Sequence, residues 1–193
     1  MSKVIFDISM SLDGFMTAAN QSPQEPMGEG GQRLHEWASS DDDRDRAILT
    51  DGIAVLGAVI AGRTTYDTSL PGWGADGPSG PARRPVFVVS HSVPEEVPQG
   101  GVYTFVTDGI ESALDQAANA AGSKYVVVMG GAQMGQQFIR AGLVEELSIH
   151  LAPVLLGTGT RMFEGLDDKQ ITLELLTATH TPNATHLRFR IAQ

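Results

Sequence analysis

The stretch VVVMGGAQMGQQF, residues 126–138, decides the fold. Val126–Met129 is continuously apolar, as in a strand buried on both faces. Gly130-Gly131 interrupts it, and Ala132–Ala141 then takes helical spacing until Gly142. A buried strand turning straight into a helix is the repeating unit of a parallel α/β sheet. The paired glycines admit two readings. They allow a tight turn at positive φ. They also allow an anion to approach the unpaired N–H groups of a helix start. The motif is neither GxGxxG nor GxxxxGK[ST], so the glycines alone leave both readings open.

The same alternation extends outward. Lys3–Met10 alternates apolar and polar residues and reads as a strand; SLDGF then turns the chain, and 19–31 is a Pro/Gly-rich loop. Arg33–Trp37 forms a short helix. Ser39 or Ser40 caps a following acidic helix whose apolar face is Ile48, Leu49 and Ile53. Strands are expected at 58–61, 85–90, 102–106 and 124–129, with a helix over 110–121 ended by Gly122. A long Gly/Pro loop occupies 69–84. The strand 147–156 contains Pro153 and is therefore bent or at an edge. GTGT (157–160) is a turn, and 171–179 with 185–191 form a hairpin across TPNA. A three-layer α/β/α domain over 1–193, with a mixed, mostly parallel sheet and a C-terminal antiparallel hairpin, is the expected fold.

Composition narrows the function. The 193 residues suffice for one domain with a sizeable core. There is no cysteine, which excludes disulfides, thiol catalysis and cysteine-held zinc; no metal is expected. The cysteine-free chain suits a reducing cytoplasm. Neither a signal peptide nor a membrane span is recognisable. A net charge of −10 makes nucleic acid and anionic membranes poor partners.

Two further strand ends carry polar groups. AGRTTYD (61–67) offers a free backbone at Gly62, a bidentate donor in Arg63, and hydroxyls and amides at Thr64 and Thr65. VVSHS (88–92) ends in Ser90-His91. Taken singly, each is as well explained by a capped helix or a solvated loop. Together with Gly130-Gly131 they place phosphate-compatible groups at the ends of three strands, where α/β sheets collect ligands.

The order SLDGF, GRTTYD, PVFVVS, VVVMGGAQMGQQFI and AGLVEELSIHLAPVLLGTGTRMFE resembles the dihydrofolate reductase-like superfamily. It is closer to the reductase domain of the bifunctional riboflavin-biosynthesis deaminase-reductase than to dihydrofolate reductase itself. The resemblance implies an NADPH-dependent oxidoreductase, commonly homodimeric, that passes hydride to a small heterocyclic or imine-like substrate. The leading candidate is 5-amino-6-(5-phosphoribosylamino)uracil. Dihydrofolate, another pterin or a carbonyl compound stands as the alternative, as does a non-catalytic NADP(H)-binding module. The resemblance assigns Gly62, Arg63, Thr64 and Thr65 to the cofactor phosphates and Ser90 and His91 to the adenosine ribose. It assigns Gly130, Gly131, Ala132, Gln133 and Met134 to the pyrophosphate, and Ser9, Asp13 and Met16 to the nicotinamide wall. Asp13, Trp37 and Leu155 are substrate-side candidates, and Trp73 is a candidate lid residue. Glu36, Asp41, Asp42 and Asp43 sit in no motif matching the pterin-gripping carboxylate, so no proton donor is assigned. Basic residues for a substrate phosphate are not evident.

Overall fold

A computed structural model describes residues 2–22, 24–166 and 170–192. Its centre is an eight-stranded sheet in the order β5-β4-β3-β6-β1-β7-β10-β9. The strands are β1 (Val4–Ser11), β3 (Leu56–Gly62), β4 (Val86–Val89), β5 (Tyr103–Val106), β6 (Tyr125–Met129), β7 (Glu146–Ala152), β9 (Leu173–His180) and β10 (Thr185–Ile191). Strands β5 through β7 run parallel; β10 pairs antiparallel with β7 and β9 closes the hairpin. A second, two-stranded sheet joins β2 (Phe15–Ala18) to β8 (Gly159–Arg161).

The layers follow from side-chain alternation along these strands. Phe6, Ile60, Val126 and Val128 belong to one core cluster, which also contains residues of α3 (Ile110–Ala121) and α4 (Ala132–Arg140). Val59, Ala61, Val86 and Val88 belong to another, with Tyr66 of α2 (Arg63–Trp73). The 3-10 helix Gly31–Ser39 touches β1 and β7, and it packs against α1 (Asp43–Val55).

Several expectations shift. Helix α2 continues through Pro71 to Trp73, although 69–84 reads as a loop, because Leu70 and Trp73 pack against the second core. Trp73 is thus a packing residue. Strand β7 ends at Ala152, just before Pro153, and lies between β1 and β10 with both edges paired, so it is not an edge strand. The GTGT turn becomes β8 because Gly159 at φ 141° accepts a contact with the Thr17 backbone that any Cβ would obstruct. Neither serine caps α1. Asp42 does, accepting from the Arg44 amide at 2.9 Å, while Ser40 Oγ turns to Asp45.

Candidate active site

At the C-terminal ends of the adjacent strands β4, β3 and β6, the three polar turns of the sequence come together. Gly62 stands at the N-cap of α2 and Gly131 at that of α4, and neither helix has a side-chain cap. Their first-turn amides remain available as donors, in contrast to those of α1, where Asp42 fills the role. Arg63 spans two of the turns: its Nε donates to both Asp67 oxygens at 2.8 Å, and its Nη1 donates to the Ser92 carbonyl at 3.3 Å. Ser90 Oγ closes the neighbouring turn on the Ser92 carbonyl, and His91 is exposed. Thr65 packs against Gly130, and Met134 against Gly62. Ala132 is buried and Gln133 exposed at the start of α4. The donor set suits a phosphate group: two uncapped helix starts and one guanidinium.

The other candidates disperse. Ser9 is buried, and its Oγ accepts from Trp37 Nε1 at 3.0 Å. Met16 belongs to the first core. Asp13 is a loop clasp: it accepts from Ser11 Oγ and from the amides of Leu156 and Gly157. The Ser11 hydroxyl leads the interactions that hold the Asp13 carboxyl at about 2. Leu155 is 69% exposed.

A cavity of about 430 Å³ lies between the second face of the sheet and α1. Asp7, Val127, Met129, Ser148, His150 and Arg188 form part of its sheet wall. Ile48, Leu49 and Ile53 line it from α1, and Trp37 closes one side. The apolar stripe of α1 therefore faces the cavity; the one buried α1 residue is Asp45.

Beneath Trp37 runs a polar chain that is buried at His150, His186 and Asp45 and partly open at Asp7. The Trp37 ring stacks on His150 with centroids 4.0 Å apart. Asp7 Oδ2 meets His150 Nε2 at 3.3 Å, His150 Nδ1 meets His186 Nδ1 at 2.7 Å, and His186 Nε2 meets Asp45 Oδ1 at 3.0 Å. Asp45 also accepts from Ser40 and from Asn183 Nδ2, at 2.6 and 2.7 Å. Burial raises the Asp45 carboxyl, but those bonds and His186 outweigh it and hold it at about 2. Burial and the neighbouring His150 push His186 below its ordinary value, against the pull of Asp45. For Asp7, the His150 pair and hydrogen bonds outweigh burial and lower the carboxyl.

Trp37, a substrate-side candidate of the sequence, lines this cavity, whereas Asp7, Asp45, His150 and His186 carry no such expectation. Glu36, Asp41 and Asp43 are exposed as expected. Asp45 is the buried acid, and its signal is its place one turn inside a helix capped by Asp42. His150 and His186 are partners across the β7–β10 register, which only the strand pairing reveals.

The fold is that of a dihydrofolate reductase-like α/β protein. Dihydrofolate reductase from Enterococcus faecalis complexed with NADP(H) superposes with a TM-score of 0.63 at 12% identity, over 99% of this chain and 97% of that one. The family model for the RibD C-terminal domain matches residues 2–187, and the chain belongs to that family. A candidate riboflavin biosynthesis protein of Shewanella sp. PV-4 aligns over the whole of both chains, with TM-score 0.73 and 24% identity. The uncharacterised protein YyaP of Bacillus subtilis strain 168 is 26% identical over 179 residues, covering 87% of this chain and 82% of that protein. Among the described residues no helix is long and apolar enough to cross a membrane.

Proposed function

We propose that the chain is an NADPH-dependent reductase whose small heterocyclic or imine-like substrate occupies the cavity under α1. One observation carries this reading. Strand β6 serves both places: Val127 and Met129 line the cavity, and the next residue, Gly130, opens the turn into the uncapped helix α4. A dinucleotide whose phosphates were held at that turn would lie at the strand end next to the cavity wall. The bound cofactor would supply hydride; the chain supplies position, a dry wall and a proton. Gly62, Arg63, Thr64 and Thr65, with Gly130–Met134, would hold the phosphates, and Ser90 and His91 would flank the ribose.

The substrate wall favours an unphosphorylated compound over the phosphorylated aminouracil. Among the described lining residues Arg188 is the one cation, and its Nε is bound to buried Glu146 at 2.6 Å. A homodimer remains part of the proposal, with the outer edge of β9, where Leu173 and Leu175 are exposed, as its face. Titration with NADPH and NADH, followed by nicotinamide fluorescence, tests the cofactor reading. NADPH should bind, and Arg63→Ala should weaken it by about tenfold through the loss of a charge-assisted phosphate contact. A folded sample that binds neither nucleotide removes the reading.

A further inference from the structure

The polar chain under Trp37 can be counted proton by proton. Its hydrogen bonds link Asp7 to His150, His150 to His186, and His186 to Asp45. Each bond needs one proton, so the chain needs three. Two neutral imidazoles carry two, and carboxylates carry none. The network therefore stores one proton beyond its neutral rings.

The ends decide where that proton rests. Asp45 is ionised and accepts, which fixes the hydrogen of His186 on Nε2. Burial disfavours a charged His186. Its Nδ1 is then the acceptor and His150 Nδ1 the donor. The remaining proton lies between His150 Nε2 and Asp7 Oδ2, and both residues line the cavity.

We propose that the Asp7–His150 pair is the acid that protonates the reduced substrate, with His186 and Asp45 as positioning residues that fix the His150 tautomer. The proposal rests on the reductase reading. A bound reduced nicotinamide would supply hydride to the carbon of a C=N or C=O group, forming the C–H bond. The π pair moves to the heteroatom, which takes the stored proton. The pair is left as an Asp7 carboxylate and a neutral His150, and water at the cavity mouth restores the proton. The charged and titratable groups around His150 are Asp7 on β1, His186 and Arg188 on β10, Asp45 on α1 and His35 on the 3-10 helix.

Two readouts on the full chain test this. The first is ¹⁵N NMR of histidine-labelled protein without ligand, assigned with His150→Gln and His186→Gln. His186 should carry its hydrogen on Nε2 and His150 on Nδ1. A neutral His150 with Nε2–H and a bare Nδ1 around neutral pH overturns the proposal. The second is NADPH oxidation with 5-amino-6-ribosylaminouracil, phosphorylated and not, as the probe. The rate should fall as pH rises past loss of the stored proton. Asp7→Asn should lower it at least about a hundredfold, the scale of a general acid, with NADPH affinity unchanged. Asp45→Asn should move the fall to lower pH and keep the acid plateau, which a merely structural role does not predict. A wild-type rate in Asp7→Asn sinks the assignment. Correct histidine tautomers in a chain that neither binds nor oxidises NADPH end the catalytic use through the reductase reading, and leave the proton store standing.

Discussion

Gly130 leaves the space that the Thr65 side chain fills, since any Cβ at Gly130, which sits at φ 72°, would overlap it. The glycine thus joins the turn after β6 to the turn after β3. Gly130→Ala should cost about 1–2 kcal/mol for the left-handed backbone and roughly 1–3 more for displacing Thr65. Urea unfolding of Gly130→Ala with and without Thr65→Ala separates the two. The second change should recover the steric part alone, and full recovery would mean that φ carries no strain.

Asp45 should make the fold acid-sensitive. Its carboxyl is held at about 2 in the fold against an ordinary value of 3.8. A depressed folded-state pKa stabilises above the unfolded value and loses that contribution as pH falls through the folded one. The effect is on the order of 2 kcal/mol. Melting temperature should therefore drop between about pH 4 and pH 2, and Asp45→Asn should flatten that limb while lowering the neutral-pH plateau. An unchanged limb in the variant contradicts the assignment.

Glu146 fastens the far wall of the cavity. Its side chain is buried and bonded to Lys3 and Arg188, each at 2.6 Å. Glu146→Ala leaves those cations, each about a third exposed, without their partner, and the lost charge-assisted hydrogen bonds should cost roughly 1–2 kcal/mol. Because Arg188 is engaged, a substrate phosphate should add little: KM for the two ribosylaminouracils should agree within about threefold, under 1 kcal/mol. A tenfold preference for the phosphorylated form, lost in Arg188→Gln, would reverse that expectation.

Asp67 restrains Arg63 through both carboxylate oxygens. Asp67→Asn removes a negative charge beside the proposed phosphate site and frees donors of Arg63. NADPH should bind several-fold more tightly, with the gain shrinking as salt rises because the site is exposed. Binding that is unchanged at low salt places the phosphate elsewhere.

The eight strands of the main sheet are legible along the chain in their sequence order. Continuous apolar runs at Val126–Met129 and around Ala58–Ala61 specify buried parallel strands, and the glycines after them specify where each strand gives way to a helix. These are local properties, set by period and turn chemistry. Tertiary structure decided what the polar residues face. Asp7 reads as one polar position in an alternating strand, and His150 and His186 as two more. They become one chain because β7 lies between β1 and β10 in the sheet and the antiparallel register sets 150 against 186. Asp45 reads as one acid among several; the capped helix start turns it inward while its neighbours stay in water. Pairing across 36 and 141 residues of sequence leaves no local trace, because strand order depends on how the whole sheet buries its faces.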